Sequence, residues 1–258
     1  MSLGFLRRGD APPVYDKDGY VAQCLHNGDS CIVIASRVSA GGNAPPHHLH
    51  EHSDQLYYVT EGEMHIQLGD ETIVVVPETL VFIPQGTPHH NWNEGDVDEF
   101  HFEVLSPVPF VTQPIATPTD SADAGGRPYR VLAARDVVSE EPLPGLRVQR
   151  LLGRDDASEN LTVNLLDTAP GSGGPPTHVH EFDQLFYILE GEMTVEAALQ
   201  KFVAGPGDLV VLPAGVPHTQ YNEGAGPERH LALLTPSPQP GRPWDVGVTL
   251  EPTGVVHP

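Results

Sequence analysis

Two histidine clusters at a constant offset constrain this chain more than any other feature. The first comprises His48, His50 and His89 with Gln55; the second comprises His178, His180 and His218 with Gln184. Gln55 and Gln184 stand 129 residues apart, as do Gly62 and Gly191, Pro84 and Pro213, Gly86 and Gly215, His89 and His218, Asn93 and Asn222, and His101 and His230. The His-x-His pairs are offset by 130, so the first copy carries one extra residue between His50 and Gln55. An offset that keeps histidines, glycines and prolines in register means two copies of one structural unit. The chain has 258 residues. Each unit therefore has roughly 125, enough to bury a core of its own.

Both units read as β-structure. Short apolar runs recur at Cys31–Ala35, Gln55–Val59, Thr72–Val76 and Leu80–Ile83, and again at Leu161–Leu166, Gln184–Leu189 and Leu209–Leu212. With 27 prolines and 26 glycines, turn signals fall about every ten residues, which predicts an all-β fold with a barrel or sandwich in each half. The stretch Pro107–Arg130 is rich in Pro, Thr, Ser, Ala and Gly and reads as an extended linker. The expected organisation is a first barrel over 1–112, a linker over 113–129 and a second barrel over 130–258. The Pro-rich stretch Pro236–Pro258 is expected to wrap a surface. Asn27-Gly28 predicts a two-residue hairpin turn that sets Cys24 opposite Cys31, both as free thiols.

Charge narrows the partners. The chain has 35 Asp and Glu against 13 Lys and Arg, a formal charge of −22, which repels phosphate backbones and argues against nucleic acid. No apolar run approaches the roughly 20 residues of a membrane helix. The opening MSLGFLRRGD lacks the apolar core of a secretory signal, so a cytoplasmic location is expected.

In a strand, residues i and i+2 share a face. His48 and His50 therefore project together, as do His178 and His180. His89 and His218 follow Pro-x-Gly turns that return a strand past the same point. Gln55 and Gln184 point with Tyr57 and Phe186. Three imidazoles and an amide oxygen suit one divalent transition metal per unit, drawn from Fe, Ni, Mn, Cu, Co or Zn. Asp54 and Asp183 adjoin the glutamines, but a one-residue slip turns them to the opposite face. His101 and His230 are expected to point inward, as general-base or supporting groups or as structural histidines. Tyr57 and Phe186 are expected to line the two pockets, a phenol in one and a plain ring in the other. The catalytic candidates are thus His101, His230 and Tyr57.

These residues resemble the cupins. The second motif of that family, G-x5-P-x-G-x2-H-x3-N, is met by Gly207, Pro213, Gly215, His218 and Asn222. Pro84, Gly86, His89 and Asn93 meet it in the first half, with Glu78 in the leading slot. The first motif, G-x5-H-x-H-x(3,4)-E-x6-G, is met by Gly42, His48, His50 and Gly62. His178, His180 and Gly191 repeat it, with Ser172 in the leading slot. The resemblance implies a bicupin: two jelly-roll (double-stranded β-helix) barrels in tandem, each with a mononuclear metal in its mouth and a small-molecule substrate. It also allows a homodimer through strand exchange.

One departure bears on the reaction. Both carboxylate slots of the motif hold glutamine, which cannot take a proton at neutral pH. Bicupin architecture implies a quercetinase-like dioxygenase acting on a flavonol or related enol. The glutamines resemble those of uronate-linearising cupins and certain polyketide cyclases, which implies metal-assisted isomerase, lyase or cyclase chemistry instead. A metal-dependent binding protein without turnover is the third reading. The dioxygenase ranks first.

Overall fold

The computed structural model describes residues 4–7, 10–122, 127–156 and 158–249. Among these residues the chain is nearly all β, with strands in two successive sets of twelve. The first set is β1 (Gly4–Arg7), β2 (Pro13–Lys17), β3 (Tyr20–Asn27), β4 (Ile32–Val38), β5 (His48–Leu49), β6 (Asp54–Glu61), β7 (Met64–Leu68), β8 (Glu71–Val75), β9 (Thr79–Ile83), β10 (His89–Trp92), β11 (Glu99–Ser106) and β12 (Thr117–Pro118). The second set is β13 (Arg130–Ala133), β14 (Ser139–Leu143), β15 (Leu146–Leu152), β16 (Thr162–Thr168), β17 (His178–Val179), β18 (Asp183–Glu190), β19 (Met193–Ala197), β20 (Gln200–Ala204), β21 (Asp208–Leu212), β22 (His218–Tyr221), β23 (Glu228–Thr235) and β24 (Val246–Gly247). No helix among the described residues is long and apolar enough to cross a membrane.

Each barrel sets a seven-stranded sheet against a five-stranded one. The first has the orders β13-β9-β6-β11-β4-β3-β2 and β12-β5-β10-β7-β8; the second has β1-β21-β18-β23-β16-β15-β14 and β20-β19-β22-β17-β24. The first strand of each set is exchanged. β1 pairs with β21 from Gly4↔Val211 to Arg7↔Asp208, and β13 pairs with β9 from Arg130↔Phe82 to Ala133↔Thr79. Each exchanged strand covers an edge whose N–H and C=O groups would otherwise stand open.

The seven-stranded sheets read as nearly unbroken apolar runs because both their faces are covered. Parity sorts the side chains. On β6, Leu56 and Tyr58 face the core between the barrels, while Tyr57 and Val59 face the interior of their own barrel. On β18, Leu185 and Tyr187 face the shared core, while Phe186 and Ile188 face inward. The barrels are related by a local two-fold. Ser106 and Thr235, equivalent residues in the repeat, meet through their hydroxyls at 3.1 Å, as only residues at such an axis can.

The Cys24–Cys31 hairpin is corrected. β3 and β4 pair Asn27↔Ile32, His26↔Val33 and Cys24↔Ile34, with an irregularity between Cys24 and His26, so residues 28–31 form a wider loop. The loop is held from both barrels: the Ser30 hydroxyl donates to Asp183 Oδ2 of the second at 2.6 Å, and the Ser106 hydroxyl of the first donates to Ser30 O at 2.9 Å. Both thiols are free, and burial pushes that of Cys31 up to about 12.

Candidate metal centres

In the first barrel β5 and β10 place His48 directly opposite His89. His50 follows β5 by one residue, and its carbonyl accepts Gly86 N at 2.9 Å from the Pro-x-Gly turn. Donor atoms of the three rings lie within 4.8 Å of one another, and all three residues are buried. Each ring is fixed from behind. The Nδ1–H of His48 donates to Pro46 O at 2.8 Å, that of His50 to Ile115 O at 2.6 Å and that of His89 to Thr87 O at 3.0 Å. With Nδ1 protonated, each neutral ring turns its Nε2 lone pair inward. Burial, then the neighbouring His50, lowers His48 to about 4; burial likewise lowers His50 and His89, so the lone pairs stay free of protons.

Gln55 lies beside this cluster in an orientation that its neighbours dictate. Its Nε2 donates to Glu103 Oε1 at 2.9 Å, and a carboxylate only accepts, so the amide oxygen is left facing inward. That oxygen and the Nε2 atoms of His50 and His89 are buried with no hydrogen-bond partner. Orphaned lone pairs of this kind are costly unless a cation collects them. Asp54 points away: it accepts from Gln85 N and Asn160 Nδ2 and pairs with Arg127.

The second barrel repeats the arrangement. His178 lies opposite His218, and the three donors again lie within 4.8 Å. The Nδ1–H of His178 donates to Pro176 O at 2.8 Å and that of His218 to Val216 O at 2.9 Å. His218 is lowered to about 4, chiefly by burial. Its Nε2 lies 2.9 Å from Gln184 Oε1. The amide and the imidazole thus lie within reach of one cation. Both centres fit a metal by donor chemistry and by these unsatisfied atoms.

Behind the centres the barrels differ. In the first, His101 stands between two carboxylates on the same face of β11: its Nδ1 is 2.9 Å from Glu99 Oε1 and its Nε2 is 3.8 Å from Glu103 Oε2. The Tyr20 hydroxyl sits 3.1 Å from His101 Nε2 and donates to Ser36 Oγ at 3.1 Å. Burial lowers His101, but Glu99 and Glu103 outweigh it and raise the ring to about 9. Burial pushes Glu103 up, yet the adjacent His101 ring leaves it below the usual range. Tyr57 lies between the layers, its ring 6.3 Å from His89 and 5.1 Å from His101. In the second barrel His230 keeps Glu228 at 2.8 Å and packs on Phe186 at 5.1 Å. The counterpart of Glu103 there is Ala232. Glu99, Glu103 and Tyr20 were missed at the level of sequence; the signal was Glu-x-His-x-Glu against Glu-x-His-x-Ala in a period-two strand.

The Cupin_2 model, described as a cupin domain, matches residues 36–105 and 164–233, together more than half of the chain. The chain belongs to the cupin family. With two such domains it is a bicupin. The chain is 23% identical over 250 residues to the quercetin 2,3-dioxygenase of Bacillus subtilis, covering 77% of this chain and 73% of that protein. Among solved structures it resembles the Lactobacillus farciminis oxalate decarboxylase formate complex (13% identity, TM-score 0.73, 96% and 89% of the two chains). It also resembles a putative glyoxylate-induced protein from Pseudomonas aeruginosa (18% identity, TM-score 0.66, 92% and 84%).

This bicupin fills both carboxylate slots of the motif with glutamine. A second departure is Glu78, which holds φ +61 where its counterpart Gly207 holds φ +82. Such a backbone costs a non-glycine residue about 1 kcal/mol. The Glu78 carboxylate bonds Arg229 of the other barrel at 2.8 Å, which favours the exception.

The second centre opens on a cavity of about 370 Å³ lined by Leu146, Val148, Leu166, Phe182, Ala232, Leu234, His178, His180, Gln184 and Asp245, among others. Asp245, also missed at the level of sequence, lies on the Pro-rich stretch that returns over the site. β24 pairs Val246↔Val179 and Gly247↔His178, as β12 pairs Thr117↔Leu49 and Pro118↔His48.

Proposed function

We propose that the bicupin is a metal-dependent enzyme of the dioxygenase type that takes a small, flavonol- or enol-like molecule into its second barrel. The observation that carries this reading is the apolar cavity of about 370 Å³ that ends on His178, His180 and Gln184. Its size and makeup match small-molecule sites, which are mostly apolar with a few convergent polar groups. The curated relative that acts as a quercetin 2,3-dioxygenase supports the same class. His178, His180, His218 and Gln184 would hold one divalent ion, and His48, His50, His89 and Gln55 another. Such an ion supplies Lewis acidity and, for Fe, Mn, Ni or Cu, one-electron chemistry.

The protein's own part is positional. Leu146, Val148, Leu166 and Leu234 would hold a ring body and exclude water. Asn164 and Gln220, also on the cavity wall, offer hydrogen bonds to its oxygens. His230 and Phe186 would set the depth of the pocket. In the first barrel His101 and Tyr57 would act as positioning groups, with His101 fixing Glu103 and through it Gln55.

A non-redox isomerase or lyase is favoured by one observation: the residue next to each histidine cluster, buried Gln55 and half-buried Gln184, is a neutral amide. Metal analysis with oxygen uptake separates the two. Oxygen consumption on a flavonol, lost in His178→Ala together with one equivalent of metal, is the expected result. Turnover of a uronate without oxygen uptake would instead establish the non-redox reading.

A further inference from the structure

We infer that Asp245 is a fifth metal ligand of the second centre, supplying the carboxylate that Gln184 does not, so that one chain carries two centres of unlike charge. The inference rests on the reading that the second centre holds a metal. Asp245 Oδ1 stands 3.4 Å from His180 Nε2 and 3.7 Å from His178 Nε2. Donors held about 2.1 Å from one ion stand roughly 3 Å apart when adjacent and about 4 Å apart when opposite, which brackets these two separations. Asp245 stands outside the 4.8 Å cluster that joins His178, His180 and His218, so its side chain must turn toward His218 to share their ion. Among the described residues, Asp245 pairs with the imidazoles of His178 and His180 and with no Lys or Arg. A plain hydrogen bond does not account for the contact with His178. Its Nδ1–H already donates to Pro176 O, so a neutral ring turns a lone pair toward the carboxylate. A cation between them turns that repulsion into attraction.

The backbone makes the placement deliberate rather than incidental. β24 is laddered to β17, and Val248 N donates to Thr177 O at 3.0 Å, which sets Asp245 over the His178–His180 pair. The matched ladder in the first barrel, with Thr119 N donating to His47 O at 3.1 Å, sets Ala116 at the same place. A methyl group offers no donor, so the first centre stays at three imidazoles and an amide. The second gains an oxygen anion, which hardens the donor set toward Mn²⁺ and Fe²⁺. At the sequence level this difference was hidden, because Asp245 lies outside both histidine motifs.

The full chain, stripped of metal and titrated with Mn²⁺ by calorimetry, tests the assignment. In protein carrying His48→Ala, which retains the second centre, Asp245→Asn should weaken Mn²⁺ binding tenfold or more. In protein carrying His178→Ala, the same change should leave binding within twofold. Loading with Co²⁺ gives an independent reading: Asp245→Asn should shift the visible absorption of the second centre toward that of the first, and Ala116→Asp should shift the first toward the second. Unchanged affinity and an unchanged Co²⁺ spectrum in Asp245→Asn would overturn the ligand while leaving the metal reading intact. Failure of the His48→Ala protein to bind any metal would overturn both.

Discussion

A ring nitrogen becomes a metal donor here because its partner nitrogen is already spent. Carbonyls of Pro46, Ile115, Thr87, Pro176 and Val216 take the Nδ1 protons of five of the six cluster histidines. Burial then keeps Nε2 free of protons, with His48 and His218 lowered to about 4 against an ordinary 6.5. Protons compete for these two donors, one in each centre, only as the pH nears 4. Metal content after dialysis should therefore hold from pH 7 to about 5 and fall below that; a release midpoint near 6.5 would contradict it. His101 has the opposite sign. Its folded pKa of about 9 exceeds the unfolded value, so its contribution is fully present below pH 6.5 and is lost as pH rises through 9. The gap of roughly 2.5 pH units corresponds to about 3 kcal/mol. Urea titrations of the wild type and His101→Gln should show a stability difference that narrows between pH 7 and 10. Glu103 acts through Gln55, so Glu103→Gln should weaken metal binding about tenfold at the first centre and leave the second unchanged. Equal loss at both centres in a competition titration would show instead a general destabilisation.

At the scale of the strand, most of the site was legible and its surroundings were not. The i, i+2 rule put His48 with His50 and Gln55 with Tyr57, and the structure places each pair on one inward face. The same rule applied to β11 sets Glu99 and Glu103 on the face of His101, but carboxylates ordinarily face water, and only the covering strands show that this face is closed. The exchange of β1 and β13 had no local signal, because four-residue strands choose partners by docking rather than by pattern. Turns were legible where glycine was demanded. Gly62 and Gly191 hold φ +70 and +72, and a Cβ there would lie 2.5 Å from Asp98 O and 2.3 Å from Pro227 O. Gly191→Ala should cost roughly 2–4 kcal/mol, combining a left-handed backbone with a clash against β23's approach. A loss under 0.5 kcal/mol in a urea titration would mean that the turn relaxes freely.

For the whole molecule, the decisive observation is that one apolar cluster serves both barrels. Leu25, Leu56, Phe102 and Val104 of the first pack with Leu151, Leu185, Tyr187 and Leu231 of the second. The Phe102 and Tyr187 rings stack at 4.4 Å. Neither seven-stranded sheet can keep that face dry without the other. The exchanged strands add to this, since unfolding either barrel strips a strand from its neighbour. The repeat announced two units; it could not announce that they share a core, because an apolar residue carries no label for which side of a sheet will meet a partner. Cooperativity follows. Calorimetry of the metal-free chain should show one unfolding transition, with calorimetric and van't Hoff enthalpies in agreement. Phe102→Ala removes a fully buried ring at the junction and should cost about 3–5 kcal/mol. That single transition should shift to lower temperature and stay single. Two separable transitions, with only the first barrel's moved by the substitution, would mean that each barrel is stable on its own and that the shared core contributes little.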